Sequence, residues 1–372
     1  MSLTKLGWNA YFAAMWQAHE REDAWVAARV VSQQRGLWRI AGNFNAAGLG
    51  VRSFGECWAA PSGKMHAASE ADGVWPAVGN WIVAEIPDGD QRATIHGVLP
   101  RRSQFVRKTA GKRIEQQVIA ANVDTAFIVV ALDGDFNLRR LERYLAQCWE
   151  SGARPVILLN KADECRDFAE RAAETERIAG GTPVLVLSAR TRQGVKALDP
   201  FLVAGQTVVL LGSSGVGKST LVNLLLGQEV RAVQPTNAKD SRGRHTTTAR
   251  ELFCLPGGAM VIDTPGLREL QLWDAADGLS ETFADIDELA AECRFRDCRH
   301  ENEPGCAVQA ALETGTLDAA CLENRRKLER EQEFLRRKMD PEARKEAHDK
   351  IKVLMRRVRQ EYRQRDKDGG KR

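Results

Sequence analysis

The sequence predicts a multidomain chain: an N-terminal five-stranded β-barrel, a central α/β domain built round a glycine-rich loop, and a C-terminal helical unit. Three observations carry this. Five short β-rich runs lie between residues 25 and 99, separated by Gly, Pro, Asn and Asp. From about Gln117, apolar strands alternate with helical patterns, which implies a mostly parallel sheet covered on both faces. Near the end, three cysteines and a histidine fall within fourteen residues.

The 372 residues suffice for two or three domains, and 43% hydrophobic content is ordinary for globular cores. The net charge of +4 is unevenly spread. Residues 325–372 carry 19 Lys/Arg against 10 Asp/Glu, so the rest of the chain is slightly acidic. A basic appendage suits an acidic partner. No apolar run reaches membrane-spanning length. Asn9 and Gln17 interrupt any signal-peptide core, so a cytoplasmic protein is expected, and it is expected to be a monomer.

Residues 1–22 read as a helical lead-in. Trp8, Phe12, Met15 and Trp16 form its stripe, a docking face for the protein's own core. Residues 23–105 hold the five runs: Trp25–Val31, Leu37–Ile40, Glu56–Ala60, Asn80–Glu85 and Ala93–Leu99. Five strands suit an oligonucleotide-binding (OB-like) barrel, though a purely structural barrel fits as well. Trp38 and Trp58 either stack on bases or belong to the core. Arg101–Arg113 holds six basic residues and no acid, and is either a solvated linker or a phosphate-contacting strip.

In residues 106–275, strands are expected at Ala126–Leu132, Pro155–Leu159, Val184–Leu187, Thr207–Leu211, Glu251–Leu255 and Ala259–Ile262, and helices at Leu138–Trp149 and Glu164–Ala179. After the fourth strand, Gly212, Gly217, Lys218 and Ser219 match the P-loop pattern. Its backbone N–H groups, from Gly212 through Ser213, Ser214, Gly215, Val216 and Gly217 to Thr220, would curl round phosphate. Lys218 would reach the β- and γ-phosphates, and the Ser219 hydroxyl would ligate magnesium.

Asn160-Lys161-Ala-Asp163 follows the second strand. Such a motif reads guanine: the carboxylate accepts from N1–H and the 2-amino group, which adenine does not offer in that arrangement. Ser188-Ala189-Arg190 resembles the Ser-Ala-Lys segment of guanine sites, with Arg190 in place of the commoner Lys. Beyond the P-loop, Thr246, Thr247 and Thr248 form a candidate switch. Asp263 and Gly266 of Asp263-Thr-Pro-Gly266 would sense magnesium and the γ-phosphate.

The base readers precede the phosphate motifs, so a P-loop GTPase domain of permuted motif order is expected. The second switch then leads directly into the C-terminal unit. Leu267 stands where Ras-like enzymes place the water-orienting Gln. Either His245 or a group supplied by a partner must position the water, and a loop histidine without that role fits the spacing equally. A nucleotide-binding RNA chaperone without hydrolysis, and an ATPase, are the rival readings.

Cys293, Cys298, His300 and Cys306 supply the ligand set of a closed structural zinc site, in a unit spanning 276–325. Cys57, Cys148, Cys165, Cys254 and Cys321 read as core thiols. Residues 326–372 form a basic helical extension that Pro341 splits, suited either to solvent or to RNA.

Together these residues resemble the circularly permuted bacterial GTPase family RsgA (YjeQ), which acts in maturation of the small ribosomal subunit. Besides the motifs above, Val78-Gly-Asn-Trp81, Leu99-Pro-Arg-Arg-Ser103, Ala120-Ala-Asn-Val-Asp124 and Gly243–Thr248 carry the resemblance. Asn80 stands where the family often has Asp, and the basic extension after about Lys338 is longer than usual. The resemblance implies binding of GTP and GDP with magnesium, one structural zinc, docking of all three domains on ribosomal RNA, and no membrane. It also implies slow hydrolysis stimulated by the small subunit, with a catalytic role for His245.

Overall fold

The computed structural model describes residues 2–19, 22–34, 36–45, 52–86, 92–108, 116–227, 250–263 and 276–339. The expected N-terminal lead-in is a 3-10 turn at Leu3–Leu6 and a helix α1 (Ala10–Ala18), whose first turn is capped by the Asn9 side chain. The aromatic stripe does dock inward. Trp8 meets Trp81 edge-on with ring centroids 4.7 Å apart, and Phe12 is buried beside it.

The barrel strands are β1 (Val26–Gln34), β2 (Leu37–Asn45), β3 (Arg52–Pro61), β4 (Trp81–Glu85) and β5 (Arg92–Val98). They pair in the order 1-2-3-5-4, and β4 returns to β1, closing the barrel. A helix not anticipated from sequence, α2 (Gly63–Asp72), links β3 to β4, with Ser62 Oγ accepting from Met65 N–H at 3.1 Å. Trp38 is core, donating through Nε1 to the Pro76 carbonyl at 2.9 Å, so it is not a base-stacking platform. The basic run beginning at Arg101 is not simply a linker: Gln104–Lys108 is strand β6, paired antiparallel with β7 (Gln116–Ala121).

The second domain supplies β8 (Thr125–Ala131), β9 (Arg154–Asn160), β10 (Val184–Val186), β11 (Thr207–Leu211), β12 (Arg250–Cys254) and β13 (Met260–Asp263). Their order is 10-9-8-11-13-12, parallel except for β12. The strands read as unbroken apolar runs because both faces are covered. On β8, Phe127, Val129 and Ala131 face one core, while Ala126, Ile128 and Val130 face the other. Helices α3 (Leu138–Ser151) and α4 (Phe168–Ile178) connect β8 to β9 and β9 to β10, and α5 (Lys218–Leu226) follows β11.

Barrel and parallel sheet are one continuous sheet. Ala28, Arg29 and their neighbours on β1 pair with β4, while Ser32 and Gln33 pair with Glu251 and Arg250 of β12. A register shift between Val30 and Ser32 bends β1 from one partner toward the other. Arg39 on β2 reinforces the seam with an ion pair to Glu251 at 2.7 Å.

Arg29 is fully buried at the junction, where the Asp124 carboxylate is close enough to favour its charge. It donates to the Gly79 carbonyl (3.2 Å), the Asn122 carbonyl (3.3 Å), Thr207 Oγ1 (2.8 Å) and the Leu6 carbonyl. Burial lowers its pKa to about 10, which leaves the guanidinium charged. Three of the resemblance motifs meet here. Asn122 accepts from Arg102 N–H at 2.9 Å and donates to the Gly79 carbonyl at 3.1 Å, and Asp124 accepts from Thr207 N–H at 2.8 Å.

The C-terminal unit comprises α6 (Ala276–Thr282), α7 (Ala284–Ala291), α8 (Ala307–Thr314) and α9 (Ala319–Met339). Its core of Leu279, Phe283, Ile286, Val308, Leu322 and Leu328 includes Ala146 of α3. Helix α9 runs through residues 325 and 326 without a break. The expected helix break at Pro341 lies outside the described residues.

Candidate functional site

The phosphate loop leaves β11 at Leu211 and enters α5 at Lys218. Two glycines are dictated by space as well as by backbone. Gly212 has φ +136°, and a Cβ there would lie 2.3 Å from the Val129 carbonyl oxygen. Gly217 has φ +101°, and a Cβ there would lie 2.2 Å from Asn160 Nδ2. Lys218 Nζ donates to the Gly212 carbonyl at 2.7 Å and the Ser213 carbonyl at 2.5 Å, so the amine lies over the loop. Ser214, Gly215, Val216, Ser219 and Thr220 complete the loop and the first turn of α5.

Asn160 brings the halves of the permuted site together. It is 2% exposed at the carboxyl end of β9. Its Nδ2 donates to the Val216 carbonyl at 2.8 Å, and its Oδ1 accepts from Ala189 N–H at 2.9 Å. One side chain thus spans the phosphate loop and the Ser188–Arg190 loop. Lys161 takes a left-handed backbone, φ +65°, and its Nζ donates to Asp133 Oδ2 at 2.8 Å. A hydrogen bond from the buried Ser188 hydroxyl, with Arg190 Nη2 at 2.5 Å, holds the Asp163 carboxyl below the usual carboxylate range. Asp163 is therefore an anionic acceptor beside the Ser188 loop, as guanine recognition requires. Asp263 ends β13, two strands from β8 in the same parallel sheet. His245, Thr246, Thr247, Thr248, Gly266 and Leu267 lie outside the described residues.

Sequence reading missed the β8–α3 loop. Asp133 there pairs with Lys161, while Arg140 donates to Ser213 Oγ and to Asp135 Oδ2, both at 2.6 Å. Burial alone would raise the Asp133 pKa, but the Lys161 hydrogen bond and its companions hold it low. An isolated Asp before a helix and an Arg in its first turn form no motif, so no sequence signal marks them.

In the C-terminal unit, Cys293, Cys298, His300 and Cys306 converge, with ligand atoms all within 4.8 Å of one another. Cys293 Sγ lies 3.8 Å from Cys306 Sγ and 3.6 Å from His300 Nδ1, and the latter is 3.4 Å from Cys306 Sγ. A tetrahedral ion with bonds of about 2.3 Å to sulfur and about 2.0 Å to nitrogen requires edges near these values. The cluster could therefore hold a metal. Hydrogen bonds within the chain also shape the loop. Glu303 accepts from the N–H groups of Arg299 and Glu301, which lower its pKa to about 2, and Arg326 of α9 donates to the His300 carbonyl at 2.9 Å. Burial, then the nearby Arg325 and Arg326 charges, lower the His300 pKa and favour the neutral imidazole that a metal needs.

Comparison with known proteins agrees with this geometry. The family model described as RsgA GTPase matches residues 98–273. A small ribosomal subunit biogenesis GTPase RsgA from Opitutus terrae is 45% identical over 95% of this chain and 96% of its own. One from Syntrophotalea carbinolica is 46% identical over 87% of this chain and 88% of its own. In fold, the chain is similar to the crystal structure of YjeQ from Thermotoga maritima. The TM-score is 0.61 at 24% identity, covering 83% of this chain and 98% of that one. It is similar also to YloQ, a circularly permuted GTPase, at TM-score 0.58 and 22% identity, covering 85% of this chain and 98% of that one. With a P-loop and a guanine-type loop joined through Asn160 in permuted order, and relatives this similar along nearly the whole chain, the protein belongs to the RsgA family of circularly permuted GTPases.

Proposed function

We propose that this protein hydrolyses GTP in the service of small ribosomal subunit maturation, docking on the subunit in its GTP state and leaving on hydrolysis. The Asn160 bridge is the observation that carries the reading, because it makes one nucleotide site of loops that are far apart in sequence. Asp163 reads the guanine edge, the Lys161 stem covers the base, and the Ser188-Ala189-Arg190 loop faces the base oxygen. Gly212–Thr220 and Lys218 hold the phosphates. Ser219, with Asp263, would hold the magnesium that accompanies GTP and offsets phosphate charge. Thr246–Thr248 and Gly266 respond to the γ-phosphate, and His245 orients the attacking water.

The ion in the cysteine–histidine cluster is zinc, as soft thiolates and an imidazole favour. It holds a unit that, with the barrel and the basic extension, meets ribosomal RNA. The chain divides at 1–22, 23–105, 106–275, 276–325 and 326–372, the last step marking a change of charge within α9. The protein works as a monomer in the cytoplasm. No described helix is long and apolar enough to cross a membrane.

Replacing Asp163 by Asn tests the base assignment. The acceptor pair becomes an acceptor and a donor, so preference should move from guanine toward xanthine nucleotides, measured as the ratio of their dissociation constants. An unchanged ratio would remove Asp163 from base recognition.

A further inference from the structure

Helix α3 stands between the phosphate loop and the C-terminal unit, and successive turns hold one or the other. In its first turn, Arg140 donates to Ser213 Oγ at 2.6 Å. Ser213 is gripped from the other side too, since Lys218 Nζ donates to its carbonyl. On the neighbouring face Arg139 pairs with Asp318, Arg143 pairs with Glu331 of α9, and Glu142 accepts from Asn324 Nδ2 at 2.5 Å. One turn further, α6 crosses so closely that a Cβ at Gly278 would lie 2.2 Å from the Ala146 carbonyl oxygen. All these contacts sit within about two turns of one helix, a span too short to bend appreciably.

We propose that Arg140 is a positioning residue for the phosphate loop, acting through the Ser213 hydroxyl, and that α3 thereby links nucleotide occupancy to the seating of α6 and α9. The proposal rests on the GTP reading above. A phosphate that draws the Lys218 ammonium off the Ser213 carbonyl leaves this residue held from α3, by Arg140 and by the Tyr144 hydroxyl one turn on. Any resulting shift of Arg140 moves the helix that carries Arg139, Glu142 and Arg143. This route runs through side chains and is separate from the backbone link after Asp263. Linkage of this kind is reciprocal, so loosening the far end must alter nucleotide affinity.

The test measures fluorescent GDP and a non-hydrolysable GTP analogue on the full chain. Arg140→Ala and Ser213→Ala should each weaken binding about fivefold, and together no more than either alone. Arg143→Ala, which removes the ion pair to Glu331 of α9, should shift the affinity too, and the shift should vanish in the Arg140→Ala background. Glu331→Gln serves the same purpose if Arg143→Ala does not fold. Nucleotide should slow amide exchange in α9 of the parent chain and not of Arg140→Ala. Unchanged affinity in Ser213→Ala, or an Arg143→Ala effect equal in both backgrounds, would overturn the proposal. Failure of the parent chain to bind any guanine nucleotide would instead overturn the GTP reading.

Discussion

The side-chain amide of Asn160 donates to the main-chain carbonyl of Val216 at 2.8 Å, across 56 residues of chain. In the permuted order this bond joins the Asn160–Asp163 segment to the glycine-rich loop after β11. It is buried, and its other end is committed to Ala189. Space is tight as well, since only a glycine at 217 leaves room for the amide.

Asn160→Ala should therefore leave the Val216 carbonyl and the Ala189 N–H unpaired. A buried group without its partner costs about 1–3 kcal/mol. GDP affinity should fall at least about tenfold with the fold retained, as followed by nucleotide titration and far-ultraviolet circular dichroism. Unchanged affinity would mean that the two loops hold their places without the bridge.

Zinc content gives a second test. The parent chain should carry one zinc ion per molecule by elemental analysis, and Cys298→Ser should carry much less. Loss of the metal should speed amide exchange across residues 293–306, because the ion ties this loop to the start of α8. A chelated chain with unchanged exchange there would show that the loop stands on its Glu303 and Arg326 hydrogen bonds alone.

Glu142 makes the junction with the C-terminal unit sensitive to pH. Burial raises its pKa above the ordinary glutamate range, against the opposing pull of Arg139 and Asn324. The native state thus binds this proton more tightly than the unfolded chain does. The resulting stability is present in acid, below about pH 4.3, and is lost as pH rises through the higher folded-state value. Glu142→Gln should flatten the pH dependence of the urea midpoint above that point. Parallel curves for the two proteins would exclude Glu142 as the source.

Much of this could be read from the sequence, for physical reasons. Strand Thr207–Leu211 lies where its apolar run put it, because both of its faces are covered, and its one polar side chain, Thr207, is buried with a hydrogen bond from Arg29. Cys293, Cys298, His300 and Cys306 converge because short spacing in a polar loop leaves little choice. The seam of β12 on β1 was not legible. Two residue pairs decide it, across more than 200 positions, and neither strand carries a signal for its partner. Helix α2 was missed because its ten residues show hardly any apolar periodicity. Arg140 and Asp133 are ordinary surface residues in sequence and become part of the site only when β8 is set beside β11.

Single-turnover GTP hydrolysis by the full chain, measured with and without small ribosomal subunits, tests the proposed activity most directly. A water positioned only on the subunit predicts acceleration of at least about tenfold, well within what one placed catalytic group contributes. The same slow rate in both, with subunit binding intact, would contradict it.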